Sequence, residues 1–364
     1  MLITTEQIDA RELVDHLIDR ALGSRASDIH IDPAGDAFQI RFRIDGLLET
    51  FETHPPEIGR MIVTRLMVMA KLLTYRPAVP QEGRATVVAK IGGKSDAPIE
   101  LRVSIMPTTH GPRAAVRLPA ELLQPQSLED LMLPANVLHG LHRFAKSDSG
   151  MLLIIGPAGA GKTTTIYALL RYIAQSNTGV SIVSLEDPVE RDLSAAGIVQ
   201  IEVSPFGELS YDRALRSILR QDPQVLMLGE IRDAASASIA VQAALSGHRL
   251  ICTLHASTPA GSLIRLMEMG VEPYQLTSAV FGIASQRLLR RRVNDAYRGR
   301  IPIAEFVPMT DSLRRAVLGR ADLETLRQGY SSHPEHRSLE SVGADLVNSE
   351  LTDAAELARA LGKH

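Results

Sequence analysis

Two hydrophobic rhythms divide this sequence. In its first third, apolar and polar residues alternate with period two in SDIHIDP and AFQIRFRIDGLLETF, around a turn at residues 33–36. The alternation predicts a hairpin followed by a further short strand. A helix is predicted over residues 5–21, where Ile8, Leu13, Ile18 and Leu22 recur at helical spacings before Gly23 breaks the run. In IGRMIVTRLMVMAKLL a second helix places Met61, Ile62, Leu66, Met69 and Leu73 on one face and leaves Arg65 and Lys71 for the other. Strands at ATVVAK, IELRVSIM and RAAVRL complete an α+β domain with an antiparallel sheet over residues 1–118. The segment 119–126, PAELLQPQ, reads as a linker, because Pro119 and Pro125 each lack a backbone donor and restrain their neighbours.

From Ser127 the rhythm changes. The apolar runs MLLIIG, VSIVSLED and QVLMLGE alternate with the helix-like KTTTIYALLRYIAQ and residues 211–220. Buried strands alternating with amphipathic helices predict a domain over 127–364 built on a mainly parallel sheet covered on both faces. Its chemistry then belongs at the carboxyl ends of the strands. The tail over 310–364 reads as helical. A chain of 364 residues with 45% hydrophobic content is large enough for two separate cores, which agrees with this division.

Charge and cysteine content narrow the partners. The 39 basic and 42 acidic side chains are spread along the chain, so the net charge of −3 gives no broad footprint for nucleic acid. The single Cys252 excludes a disulfide framework and a cysteine-built zinc module, and fits a reducing cytosolic setting. No apolar run approaches the roughly 18 residues that a membrane span needs, so a place in the cytosol or on a membrane surface is expected.

The clearest chemistry lies in GPAGAGKT. Gly156, Pro157, Ala158, Gly159, Ala160, Gly161, Lys162 and Thr163, with Thr164 following, sit between an apolar strand and a helix. Glycines let the backbone wrap closely around phosphate oxygens, and the helix start adds its partial positive charge. Lys162 would neutralise the β and γ phosphates of ATP, and Thr163 would offer a hydroxyl to Mg²⁺. Acids stand at the ends of the next strands: Glu186 and Asp187 before Pro188, and Glu230 after Gly229. Delivered beside a phosphate loop, one acid can orient or deprotonate water and another can hold a metal-bound water. Gly229 stands where many such ATPases carry a Mg²⁺-linked aspartate, so Glu186 is a candidate for that metal, directly or indirectly. Glu230 as a helix-start acid and Asp187 as a turn former are the plainer alternatives.

His248 and His255 bracket RLICTL, and either can report the nucleotide's state from a strand end or serve as a structural histidine. Asp28, His30 and Asp32 share a strand face, which reads as a solvated or interface face ahead of a metal site.

In order along the chain, SDIHIDP, RFRIDG, PQEGRATV, LRVSIMPTTHGPRAAVRL, the phosphate loop, SLEDPVE, LMLGEIRD and GHRLICTLHAST resemble the ATPases of type II secretion, type IV pilus and DNA-uptake systems. The resemblance spans nearly the whole sequence. It implies a RecA-like P-loop ATPase domain preceded by a smaller PAS-like α+β domain, assembled as a homo-hexamer. It also implies a cytoplasmic protein at the inner membrane that works with a membrane platform partner and extrudes or assembles a pilus or pseudopilus, with no direct nucleic acid. By motif, Glu230 becomes the catalytic glutamate, and Glu186, Asp187 and Glu190 shape the water and metal site. Arg84, Arg102 and Arg113 or Arg117 match small-domain arginines that family members present to nucleotide, and Arg216 and Arg220 match those of the large domain. Salt bridges are the alternative role for each.

Two departures stand out. Assembly-type members carry two CxxC pairs where only VNDA separates RLLRRR from YRGRIPIAEF, so no zinc is expected. The family's extra amino-terminal domain is also not found in this sequence. Retraction or conjugative-transfer ATPases of the same superfamily, and less so a nucleic-acid motor, remain as rival readings.

Overall fold

The computed structural model describes residues 9–89, 97–118, 125, 127–177, 179–203, 211–294 and 296–362. The chain divides into two compact units, 1–124 and 125–364. The linker segment lies outside the described residues apart from Pro125.

The first unit runs α1 (Ala10–Gly23), β1 (Asp28–Ala34), β2 (Ala37–Ile44), β3 (Leu47–His54), α2 (Pro56–Met69), β4 (Gln81–Ala89), β5 (Ala97–Thr108) and β6 (Gly111–Arg117). The strands form an antiparallel sheet in the order β3-β2-β1-β6-β5-β4. Period-two alternation sends Ile29, Ile31, Phe38, Ile40 and Phe42 into the core beside both helices. The other face carries Asp28, His30, Asp32, Arg41 and Arg43.

Both helices turn much of the expected stripe inward, Ile18 on α1 and Ile62 and Leu66 on α2 being buried and Met69 packed against the core, but the stripes are centred differently. On α1, which Asp9 caps by accepting from the Arg11 amide, Val14, Leu17, Ile18 and Ala21 are buried, while Leu13 and Leu22 lie half-buried at the margin. Of the expected stripe, Ile8 falls outside the described residues. On α2 the buried set is Gly59, Ile62, Val63, Leu66 and Met67, whereas Met61 is exposed. Gly59 lets α2 approach the sheet closely: a Cβ there would come within 2.1 Å of the Phe38 ring, so the helix packs through its one position without a side chain. Leu73 follows the helix, beyond Lys71 in the left-handed region, and is exposed.

The second unit begins with α3 (Ala135–Ala145), β7 (Gly150–Ile155), α4 (Lys162–Ser176), β8 (Ile182–Glu186), β9 (Val199–Glu202), α5 (Tyr211–Ile218), β10 (Val225–Leu228), α6 (Ala234–Leu245) and β11 (Arg249–Leu254). It continues with α7 (Pro259–Glu268), α8 (Pro273–Ala279), β12 (Val280–Val293), β13 (Ala296–Pro308), α9 (Asp311–Leu318), α10 (Leu323–Ser331), α11 (Leu339–Asn348) and α12 (Ala354–Leu361). The sheet order is β13-β12-β7-β11-β10-β8-β9, parallel throughout except for β13 at one edge. Alternation again sorts the strands: Leu153, Leu228 and Cys252 face one core with α6 to α8, while Leu152, Met227 and Ile251 face the other with α3 and α4. Because the strands are parallel, the turns after β7, β8, β10 and β11 gather at one edge of the sheet.

The long hairpin of β12 and β13 takes α11 and α12 against its outer half through Leu289, Ile301, Ile303, Leu339 and Val342. Glu356, its side chain fully buried, fastens this contact. It accepts from the Arg290 amide (2.9 Å), the Arg290 guanidinium (3.0 Å) and Arg359 Nε (2.8 Å). Burial pushes its carboxyl up, but the hydrogen bonds from Arg359 and Arg290 outweigh burial and hold it below the usual range. Removing one member of a buried ion pair costs about 3–5 kcal/mol, so Glu356→Ala should lower urea-unfolding stability by about that amount. A carboxyl depressed on folding stabilises above its unfolded pKa and loses that contribution as pH falls through the folded one. The deficit of the variant should therefore be full at neutral pH and shrink in acid. A constant deficit across that range would remove the charge from the explanation.

Candidate active site

Strand β7 enters a loop that only glycine permits. Gly156 and Gly161 have φ of 150° and 85°, and a Cβ on Gly156 would lie 2.5 Å from the Gln286 carbonyl on β12. Gly161 opens α4 without any side-chain cap, so the first amides of that helix have no partner from a capping residue. Lys162 Nζ folds across the loop and donates to the carbonyls of Gly156 (2.8 Å) and Pro157 (2.9 Å). Pro157, Ala158 and Gly159 are exposed, Ala160 is buried, and Thr163 and Thr164 lie half-buried in the first turn of α4. Thr165, one residue on, donates to Gln286 Oε1 (2.9 Å) and pins the helix to β12.

Burial holds the Lys162 ammonium below the ordinary lysine range. Glu230 pulls it back up, Arg287 adds to the depression, and Glu190 opposes it. Glu230, Arg287 and Glu190 thus act electrostatically on this lysine. Arg287 stands on β12 and donates to the carbonyls of Gln286 and Ser257, both at 2.9 Å.

Glu230 follows β10. Its amide donates to the Tyr211 hydroxyl (3.4 Å), and Ile231 after it donates to the Thr253 carbonyl of β11 (2.9 Å). Its Oε1 lies 2.8 Å from His255 Nε2 and its Oε2 accepts from Arg232 Nε (2.9 Å). Arg232 Nη1 reaches on to Asp187 Oδ2 (3.0 Å). The acids Asp187 and Glu230 are thus joined through one guanidinium, with His255 on the far oxygen. Gly229 sits close against β8: a Cβ there would lie 3.3 Å from the Leu185 carbonyl, so a larger residue would require the two strand ends to part by a few tenths of an ångström.

Glu186 does not join this group. It is 3% exposed and lies under α4, where Oε2 accepts from the Tyr167 hydroxyl and Oε1 accepts from Ser184 Oγ (2.6 Å) and Gln200 Nε2 (3.0 Å). Adjacent strand residues point to opposite faces, so Glu186 and Asp187 diverge. The expectation that Glu186 converges with Glu230 on the loop is corrected accordingly. As a direct Mg²⁺ ligand it would have to release three internal donors. Glu190 is exposed, and its amide donates to the Tyr167 hydroxyl (3.3 Å).

His248 is a second correction. It precedes β11, with Nδ1 at 2.9 Å from the Ala243 carbonyl. The six-residue strand β11 separates it from His255, which is about 20 Å at strand rise. Arg216 pairs with Asp212 (3.1 Å) on the exposed side of α5, and Arg220 follows the helix, also exposed. Neither is among the charges acting on Lys162.

The remaining arginines lie on the polar face of the first unit's sheet. Arg84, Arg102 and Arg117 are successive cross-strand partners, and Asp28 and then Arg43 extend the row. Like charges placed directly opposite destabilise a sheet, so such a row makes physical sense where an anion meets it. Acids within the unit relieve part of the repulsion: Arg84 pairs with Glu100 (3.3 Å) and Arg43 with Asp28 (3.3 Å). Arg113 donates to Asp32 and to His30 Nδ1 (3.0 Å), and Arg41 also binds Asp32 (2.6 Å). Asp28, His30 and Asp32 are thus engaged by arginines, and among the described residues no group of three or more His, Cys, Asp or Glu is arranged to hold a metal.

Arg232, Arg287, Gln286 and Tyr167 escape sequence reasoning as site residues. Arg232 stands two residues beyond Glu230 and could have been suspected from that spacing alone. Gln286 and Arg287 arrive together from β12, and Tyr167 lies on α4 itself, in a turn that no motif marks.

A family model described as Type II/IV secretion system protein matches residues 5–359. The Type II secretion system ATPase E of Vibrio cholerae is 34% identical over 96% of this chain and 74% of its own length. The Type II secretion system protein E of Xanthomonas campestris is 36% identical over 87% of this chain, and the match spans 61% of that relative. Among solved structures, one described as the pilus retraction motor PilT with bound ADP superposes with a TM-score of 0.67 at 26% identity, covering 95% of this chain and 96% of that one.

Proposed function

The chain belongs to the Type II/IV secretion system protein family, and on that premise we propose that it is a mechanochemical ATPase that drives pilus or pseudopilus assembly, or protein secretion, across the bacterial inner membrane. The observation that carries this reading is an uncapped helix start crossed by Lys162, with the charge of Glu230 acting on that same lysine.

On this reading the amides opening α4 bind the phosphates, and Lys162 exchanges two loop carbonyls for the β and γ oxygens. Glu230 orients the attacking water and accepts its proton. Bound Mg²⁺ would neutralise phosphate charge, and the Thr163 hydroxyl in the first turn of α4 would hold it. Asp187 and Glu190 supply the remaining carboxylates of the site. The row Arg84, Arg102 and Arg117, with Arg113 beside it, is the anion-seeking face of the smaller domain, which precedes the ATPase domain across a linker at 119–126. The working assembly is a homo-hexamer on the cytoplasmic side of the inner membrane, in contact with a platform protein; the family resemblance supports these last points. No helix among the described residues is long and apolar enough to cross a membrane.

Introducing Lys162→Ala in the producing cell tests direction as well as function. Loss of filaments or of secreted cargo is expected. Excess filaments would transfer the assignment to retraction, the second reading, which the likeness to a retraction motor keeps in view. Purified protein should turn over ATP at a rate indifferent to added DNA, and a salt-sensitive stimulation by DNA would instead indicate a nucleic-acid motor.

A further inference from the structure

Resting on the ATPase reading, we infer that Arg232 is the positioning residue that makes this site tolerate a third phosphate, by neutralising Glu230 and Asp187 from between them. The guanidinium spans the ends of two strands, with Nε 2.9 Å from Glu230 Oε2 and Nη1 3.0 Å from Asp187 Oδ2. Without it, two carboxylates would stand on the side of the loop where a terminal phosphate arrives, and like charges in a partly buried site repel. Lys162 cannot replace it, because its ammonium is committed to the loop and to the phosphates themselves. His255 covers only the far oxygen of Glu230 and touches neither Asp187 oxygen in a contact of its own.

The planar fork of arginine fits the position, because one side chain bridges two acids at fixed spacing, which a lysine ammonium does less well. The position also separates ATP from ADP. On the ATPase reading the γ-phosphate is the group nearest these acids and adds charge of its own, so their repulsion weighs more on ATP than on ADP. Arg232 thereby acts on discrimination between the two nucleotides, through Glu230 and Asp187, rather than on the binding of nucleotide in general. Its side chain is 57% exposed, so solvent screens part of the effect.

The test is a binding cycle with a non-hydrolysable ATP analogue and with ADP, on the full chain carrying Arg232→Gln, Glu230→Gln or both. Arg232→Gln should weaken the analogue by roughly ten- to a hundredfold, the worth of one charge-assisted interaction, and ADP by under about threefold. In the Glu230→Gln background the repulsion is partly gone, so the same substitution should cost the analogue severalfold less. Arg232→Lys, which keeps the charge but not the fork, should recover part of the affinity and guards against a variant that merely folds poorly. Equal losses for ATP analogue and ADP, equal losses in both backgrounds, or no loss at all would each overturn the inference. Failure of the ATPase reading looks different: the unaltered chain would then bind neither nucleotide, or Lys162→Ala would bind both as well as the unaltered chain does.

Discussion

Glu230→Gln is expected to lower kcat by roughly a hundred- to ten-thousandfold, the worth of a positioned general base, while nucleotide affinity stays close to that of the unaltered chain. The amide keeps nearly the volume of the carboxylate, its oxygen can still accept from Arg232, and the residue's own backbone N–H still donates to the Tyr211 hydroxyl, so the end of β10 should hold its shape. What disappears is the ability to take a proton from water beside the phosphate. The side chain is the right one to test, because the turns after the parallel strands bring it to the loop's edge and its charge is felt by Lys162. Single-turnover measurement separates the chemical step from product release, and the deficit should fall on the chemical step. Turnover as fast as that of the unaltered chain would sink the assignment of Glu230 and would favour a regulator that binds nucleotide without hydrolysing it.

What could be read from the sequence follows from how local each signal is. The glycine-rich loop over 156–163 was legible as a strand-to-helix turn, because strand, glycines, lysine and helix are contiguous and the glycines' unusual φ angles are demanded by the turn itself. Glu230 and His255 were legible as strand-end residues, and their 2.8 Å contact needed only that β10 and β11 be neighbours in a parallel sheet. Glu186 was not, because a one-residue choice of face decides whether a strand-end acid meets the ligand or the core, and the decision rests on Tyr167, Ser184 and Gln200. His248 was recoverable in principle: parallel strands place their amino ends away from the ligand, so a histidine before β11 belongs to the wrong edge. The faces of α1 and α2 were legible in Ile18, Ile62 and Leu66, whereas the inward position of Gly59 against the Phe38 ring and the outward one of Met61 were not, because a glycine carries no mark in a hydrophobic pattern. The inner parts of β12 and β13 are buried continuously and their outer parts carry arginines, so no period-two pattern marks them and residues 280–308 are intelligible in the sequence only through their family resemblance.

Lys162→Ala should lower kcat/KM more than any other single change at this site, with about a hundred- to a thousandfold of the loss coming from charge stabilisation at the phosphoryl group. A further loss comes from weaker nucleotide binding, roughly ten- to a hundredfold for one charge-assisted contact. The fold should tolerate the change, since the ammonium's partners are the exposed Pro157 carbonyl and the Gly156 carbonyl, both backbone groups of the loop, and α4 remains pinned by Thr165 to Gln286. Unfolding midpoints close to those of the unaltered chain are therefore expected. The same lysine fixes a pH dependence. Its ammonium is held below the ordinary lysine range, chiefly by burial, so it sheds its proton at a lower pH than a free lysine would. Since only the charged form attracts phosphate, kcat/KM, which reports the free enzyme, should fall on the alkaline side earlier than an unperturbed lysine would dictate. Arg287→Gln removes a cation that contributes to this depression, so it should move that alkaline limb upward; a limb that stays in place, or a Lys162→Ala protein that hydrolyses ATP at the original rate, would separate the lysine from the chemistry.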